Sequence, residues 1–521
     1  MVTKNIYVFG DSVSDTGNAF ALTQELIPPS PPYFNGRFSN GPVAVEQLPA
    51  LLGSDYRLQQ TNNYAFGGAT TGRGNVFEDD VRIDLPGLLD EVDLFQTRVG
   101  TNGADPNGLY IVWAGPNDFI DTLRGSPLPD PTGTSTTFAD PAILLRQGSL
   151  NIKNVVSTLQ GLGAKNLVVP NMGNLGRLPA AGGVAAELTA ITKAFNASVD
   201  LELSNLVFKT TRVDLYGTSE AIAANPQQFG YTNVTDPLLF APSGSNPDQF
   251  FFWDQFHPTT KTHSIFADTI SQTVTGQIPQ PAFRRIRGTN RNDLRIGTLA
   301  NDDMDGLGGN DLFSGLQGND RIEGWQGKDQ LFGNQGDDTL SGGSGADVLR
   351  GSLGDDIGFG GAGADRLLGQ AGQDILVGDA GNDSLFGGLG ADYLLGGAGQ
   401  DLLQGDAGQD SLNGGIGQDL LTGGIGNDRL DGGADNDRLT GGPGSDQFVY
   451  RPGGGSDVIT DFEQGADTID LSSFRFQDFS DFTSQASLNG SLINFGNGNT
   501  LQLNQVNVAT LAASDFVFVQ T

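Results

Sequence analysis

Residues 378–401 read GDAGNDSLFGGLGADYLLGGAGQD. An aspartate returns every nine residues, at Asp383, Asp392 and Asp401, with a glycine two places before each and a leucine two places after. Working outward, the aspartates keep that register from Asp293 to Asp446, and the preceding glycine is unbroken from Gly309 to Gly426. The unit is Gly-Gly-x-Gly-x-Asp-x-Leu-x, and a fixed short period of this kind marks a stacked repeat architecture. Its glycines let a tight turn point carbonyls inward, its aspartate adds a carboxylate, and its leucine (Leu331, Leu340, Leu349, Leu394, Leu430) starts a short strand facing a core. A flexible glycine-rich linker is the bland alternative, but a linker needs neither the period nor the leucines.

Hard oxygens gathered around a turn suit calcium. The expected ligands are Asp311, Asp320, Asp329, Asp338, Asp347, Asp365, Asp374, Asp383, Asp392, Asp401, Asp410, Asp419, Asp428, Asp437 and Asp446. Asp356 is set aside because Ile357 and Gly358 follow it, and Asp435 stands where a glycine should precede Asp437, so these units are expected to bind less well or to end the array. Arg291 and Ala300 replace the glycines before Asp293 and Asp302, which places the start of the ordered repeats near Gly306. Without a cation, so many carboxylates on a leucine-poor chain cannot bury enough apolar area to offset the ordering entropy, so the apo tail is expected to be unfolded. This tail resembles the RTX (repeats-in-toxin) family, which implies a parallel β-roll holding structural Ca2+, passage through a type I secretion apparatus, and folding outside the cell. The terminal LQLNQVNVATLAASDFVFVQT is similar to the C-terminal secretion signals of that family; a capping set of strands is a compatible second reading.

Composition divides the chain at the same place. Of 77 glycines, 43 lie between Gly288 and Gly444, a density an ordinary core does not tolerate. Residues 1–285 carry a net charge of -9 and residues 286–521 carry -24 of the total -33. Such a chain is repelled by nucleic acid and by anionic lipid surfaces. Cysteine is absent, which excludes disulfides and thiolate metal sites. No run of 18 apolar residues spans a membrane. The start, MVTKNIYVFG, reads directly as a strand rather than as a signal peptide, so the expected extracellular location rests on the C-terminal signal.

In the first 280 residues the apolar runs Ile6 to Phe9, Leu109 to Trp113, Leu167 to Val169 and Val207 to Val213 read as buried strands, and residues 142–161 and 183–205 as helices. That alternation predicts a doubly wound α/β sheet with its chemistry at the carboxyl ends of the strands. FGDSVSDTGN after the first run puts Ser12 on a strand-to-helix turn, where it is either a nucleophile or, like Ser14, a helix cap. GPNDF carries Asn117, and FFWDQFHPTTKTH carries Asp254 and His257 three apart. A serine needs a histidine to take its proton, and that histidine needs a carboxylate. The chain has two histidines; no carboxylate precedes His263 at similar spacing, so it reads as structural. Phe251, Phe252 and Trp253 read as core before substrate wall, and Glu78, Asp79 and Asp80 as a solvated loop.

These blocks resemble the GDSL lipase family, also called SGNH hydrolases, and YFNGRFSNGPVAVEQL from Tyr33 with PNMGNLGRLP from Pro170 is similar to its phospholipase, lecithinase and hemolysin branch. The resemblance implies a flavodoxin-like α/β/α fold with a mostly parallel sheet, Ser12 as nucleophile, His257 as base and later acid, and Asp254 as its orienter. It also implies an oxyanion hole made of Ser12, Gly68 in NYAFGGATTG and Asn117, with Gly67 as the alternative to Gly68. The expected organisation is a hydrolase domain (1–280), a linker with degenerate repeats (281–305), a calcium β-roll (306–450) and a C-terminal β cap with the secretion signal (451–521). The expected function is a secreted serine esterase acting on lipid or small-molecule esters, with no cofactor needed for catalysis. A carbohydrate acetylesterase on the same fold, or an adhesive calcium-binding protein with a vestigial site, remain as alternatives.

Overall fold

The computed structural model describes residues 3–23, 26–30, 32–67, 69–73, 86–119, 141–204, 206, 209–474 and 476–518. The chain packs as two compact units that part at Pro281 and Ala282.

The first unit is built on five strands: β1 (Lys4–Gly10), β2 (Tyr56–Asn63), β3 (Leu109–Trp113), β4 (Asn166–Pro170) and β5 (Thr211–Val213). Their order is β2-β1-β3-β4-β5 and every pairing is parallel, which is the flavodoxin-like doubly wound arrangement. All five side chains of β3 are buried, as its uninterrupted apolar sequence LYIVW requires of a strand covered on both faces. The edge strand β2, YRLQQTNN, is polar and mostly exposed, so no apolar run marks it in the sequence. The helices expected at 142–161 and 183–205 span Pro141–Gly161 and Ala185–Ser204. The second starts late because the preceding 3-10 segment Pro179–Val184 is broken at Gly182, whose φ is +49°. Of the expected strand Val207 to Val213 only Thr211–Val213 is a strand; residues 207 and 208 lie outside the described set, as do residues 78–80. Chain order reverses between β1 and β3, which pair from Ile6 with Leu109 to Gly10 with Trp113. Side chains following these two strands therefore meet at the switch point, where such sheets bind ligands.

The second unit is a parallel β-solenoid of about ten turns, with successive strands joining alternately a 12-stranded and a 13-stranded sheet. Each turn is two nonapeptides, so Leu331 pairs with Leu349 and Ile322 with Leu340. From Asp302 onward the residue two places after the aspartate is buried, and these positions form a row of apolar side chains that includes Phe313, Ile322, Leu331, Leu340, Leu349, Leu367, Leu376 and Leu394. Gly358 interrupts that row without interrupting the ladder. Its strand, Ile357–Ala362, pairs normally on both sides, and the methyl groups of Leu376 and Leu367 approach the place of the missing Cβ to 3.3 and 3.4 Å.

The two ladders begin upstream of Gly306, since Arg284–Arg287, Leu294–Ile296 and Asp302–Asp305 are already strands in the sheets. At the other end an antiparallel set (Ser487–Asn489, Leu492–Gly496, Asn499–Leu503) and a cluster of Phe476, Phe482, Phe495 and Phe516 close the stack.

The glycine two places before the aspartate is required by close approach. At Gly345, with φ +146°, a Cβ would stand 1.4 Å from the Gly327 carbonyl oxygen of the preceding turn. Gly345→Ala is therefore expected to destabilise the solenoid by more than the roughly 1–3 kcal/mol of backbone strain alone. Gly161→Ala, with nothing within 4 Å of the new methyl, should leave stability unchanged; thermal unfolding of the full chain checks both.

Candidate active site and carboxylate ladders

Ser12 follows β1 directly, on a turn closed by Ser14 N–H and Asp15 N–H donating to the Asp11 carbonyl at 3.0 and 2.9 Å. Its Oγ lies 3.0 Å from His257 Nε2. His257 Nδ1 lies 2.8 Å from Asp254 Oδ2 and 3.0 Å from Oδ1. Asp254 also accepts the Phe256 and His257 backbone N–H groups on Oδ1, each at 2.8 Å, and the Tyr33 hydroxyl on Oδ2 at 2.7 Å. Burial pushes this carboxyl up, but the His257 charge and these donors outweigh it and hold Asp254 at about 2. It stays ionised across the working pH range and holds the ring orientation in which Nε2 faces the serine.

Asn117 follows β3 and is buried, with its Nδ2 donating to the Ala69 carbonyl at 3.0 Å. Ser12 and Asn117 both line one pocket. Gly68 lies outside the described residues. Gly67 N–H is engaged by Asp15 Oδ2 at 2.8 Å, so the alternative assignment of Gly67 as oxyanion donor loses its donor. The pocket wall is mostly apolar, with Trp113, Leu178, Ala223, Val234, Phe252 and Phe266, and Asp11, Asn174, Arg177 and Ser219 add polar groups to it. Phe251 and Phe252 belong to the core and face this pocket as well. His263 is fully buried, burial pushes it down to about 3, and its Nδ1 accepts the Ala44 N–H at 3.3 Å. Tyr33 carries no sequence signal beyond its place in a recognisable block, because it is 221 residues from Asp254 in the chain.

In the second unit the aspartates form two ladders. Each Oδ1 accepts the N–H of the aspartate 18 residues earlier, for example Asp320 N to Asp338 at 2.7 Å and Asp338 N to Asp356 at 2.8 Å. From Asp311 through Asp410, and again at Asp428, Asp437 and Asp446, the other oxygen, Oδ2, is buried and takes no hydrogen bond. Asp356 has the same hydrogen-bond geometry as the rest, with Gly358 set against the leucine core. Asp437 likewise accepts the Asp419 N–H at 2.9 Å, so Asp435 does not end the row. Asp457 and Asp467, outside the nine-residue register, complete the ladders by accepting from Asp437 and Asp446.

The orphaned oxygens point into a cradle. A Cβ on Gly342 would lie 2.5 Å from Asp347 Oδ2 and 2.7 Å from the Gly360 carbonyl oxygen, so carboxylate and carbonyl oxygens of successive turns converge over each such glycine. An oxygen-only donor set of this kind fits calcium. Burial, reinforced by neighbouring aspartates, pushes the carboxyls of Asp338 to about 7 and of Asp356 and Asp383 to about 8.

A Ser-His-Asp constellation at the switch point of a parallel sheet, beside a mostly apolar pocket, is the arrangement of side chains that serine hydrolases use. The GDSL-like Lipase/Acylhydrolase family matches residues 6–270, and the chain belongs to that family. It is a carboxylic ester hydrolase. The RTX calcium-binding nonapeptide repeat matches seven overlapping windows between residues 296 and 459. Among curated relatives, a phosphatidylcholine-sterol acyltransferase of Aeromonas hydrophila is 26% identical over 53% of this chain and 91% of its own. A GDSL esterase/lipase of Arabidopsis thaliana is 25% identical over 51% and 85%, and a thermolabile hemolysin of Vibrio parahaemolyticus 25% over 51% and 62%.

Carboxyls raised above the unfolded value of about 3.9 favour the folded, cation-free roll when protonated. That contribution is complete below pH ~4 and is lost as pH rises through the folded values of about 6 to about 8. In chelator, lowering pH from about 8 to about 5 is expected to raise the β-sheet circular dichroism of the full chain, whereas saturating calcium should flatten this dependence.

Proposed function

We propose that the chain is an extracellular lipid esterase that works through an acyl-Ser12 intermediate and carries a calcium-folded roll for export and stability. The observation that carries this is the relay Ser12 Oγ to His257 Nε2 (3.0 Å) and His257 Nδ1 to Asp254 (2.8 Å) beside an apolar pocket. Ser12 Oγ attacks the ester carbonyl carbon as its proton passes to Nε2. Asp254 stabilises the imidazolium, while Ser12 N–H, Asn117 Nδ2 and Gly68 N–H receive the oxyanion. Collapse breaks the carbon–oxygen bond to the alcohol, which takes the proton from Nε2. Water, deprotonated by the same nitrogen, then releases the acid and restores Ser12.

The apolar pocket and relatives that include an enzyme of phosphatidylcholine and a hemolysin support acyl chains, phospholipids among them, over acetylated sugars. Calcium at the ladders supplies positive charge to orphaned carboxylates and couples its binding to folding. With extracellular calcium above and cytosolic calcium below the midpoint, the roll would fold after passage through a type I secretion apparatus.

Hydrolysis of p-nitrophenyl esters of increasing chain length tests the enzyme reading. Wild type should prefer medium to long acyl chains, and Ser12→Ala should lose roughly 10⁴-fold or more in kcat; activity equal in both would refute the assignment. The proposed relay draws on Ser12, His257 and Asp254, so the full chain in chelator should keep its activity on a soluble ester while losing the roll's β-sheet signal.

A further inference from the structure

The mechanism leaves several buried ionisable groups around the site without a role, among them Asp11, Asp15, Asp118 and Glu91. Glu91, on the helix Leu88–Val99, is fully buried, and burial raises its carboxyl well above the usual range. Its Oε2 accepts the Gly10 N–H at 2.7 Å, and its Oε1 accepts the Phe66 N–H at 3.2 Å. Gly10 ends β1, two residues before Ser12; Phe66 stands two residues before Gly68. Phe66 N–H also reaches the Gly10 carbonyl at 3.0 Å, so strand end, loop and carboxylate close a small ring. On the far side of the nucleophile turn, Asp15 Oδ2 accepts Gly67 N–H at 2.8 Å and Ala19 N–H at 3.0 Å.

We infer that Glu91 is a positioning residue that fixes the distance between the nucleophile turn and the oxyanion loop. The inference rests on the reading of Ser12 as nucleophile. Several features favour it over simple core filling. A leucine of similar size would fill the space at no desolvation cost, yet a carboxylate stands there, and each of its oxygens takes a backbone N–H from a different site-bearing segment. Gly10 itself has no slack: a Cβ there would lie 2.0 Å from the Trp113 carbonyl oxygen, so the end of β1 is wedged against β3 and held by Glu91. The oxyanion donors act only on charge that develops in the transition state, so a small displacement of one loop lowers kcat and leaves substrate binding in the apolar pocket unchanged.

The test is Glu91→Leu with Glu91→Gln as the conservative partner, in the full chain. Active sites are counted by fluorophosphonate labelling of Ser12, and kcat per labelled site and KM are measured on one ester. Glu91→Leu is expected to lose about 100-fold in kcat per site, the scale of a 1 Å misplacement, with KM within about twofold. Glu91→Gln retains an acceptor at the same reach and should stay within about tenfold of wild type. Counting sites removes the effect of a smaller folded fraction. If Glu91→Leu gives no labelled sites, Glu91→Asp decides, because drawing both acceptors back by one methylene should lower kcat per site at least tenfold with KM unchanged. Unchanged kcat per site, or a loss carried by KM, overturns the assignment of Glu91 alone. Wild type that hydrolyses no ester and is not labelled at Ser12 overturns the catalytic reading and this inference together.

Discussion

A buried carboxylate must find donors, and both halves of this chain are organised by that constraint. In the first unit Asp15, Glu91, Asp118 and Asp254 are buried and each accepts backbone N–H groups from segments that carry the site. In the second unit the aspartates, recurring every nine residues, each tie their turn to the one before through a single N–H. The fold positions carboxylates, and the carboxylates in turn fix the backbone around them.

In the first unit the β2-β1-β3 order brings the Ser12 turn and Asn117 to one end of adjacent strands, and His257 reaches them from a loop that Asp254 shapes from within. Asp254 accepts from the backbone of the turn that it also orients, so the relay is stiff before substrate arrives. Further along the chain Thr71 donates its N–H and hydroxyl to Asp118 at 2.8 and 2.6 Å. Catalytic groups on loops acquire precision from such supports.

Some of this was legible in the sequence because its causes are local or periodic. The nine-residue register sets the 18-residue pairing, and the apolar runs of β1, β3 and β4 declare buried parallel strands. Asp254 and His257, three apart, announce a turn that can hold both. What was not legible depends on distant parts of the chain. Tyr33 meets Asp254 across 221 residues and Glu91 meets Gly10 across 81, with no pattern at either end. The polar edge strand β2 has no apolar run to declare it. The regular hydrogen-bond geometry at Asp356 was not legible for a different reason: Gly358 faces the leucine core, whereas the carboxyl group faces the turn, so a departure on one side leaves the other intact.

The number of donors per carboxyl group separates Asp15 and Asp254 from the aspartates of the ladders. Asp15 takes the N–H groups of Gly17, Asn18, Ala19 and Gly67, and Asp254 takes two backbone N–H groups, a ring nitrogen and a hydroxyl. Both oxygens of these two are served from within the chain, which offsets part of the cost of burial. Asp329 or Asp338 takes one N–H on Oδ1 and leaves Oδ2 buried and bare, in a unit whose neighbours are further aspartates. The protein supplies half of each such carboxylate's partners, and the bare half is a place that calcium, which repeats of this family bind, can fill. Glycine at the cradle is what keeps that second place open, since any side chain there would occupy the space where carboxylate and carbonyl oxygens converge. The composition that seems to weaken the tail, poor in side chains and rich in negative charge, is therefore the composition that keeps places for cations open along its turns.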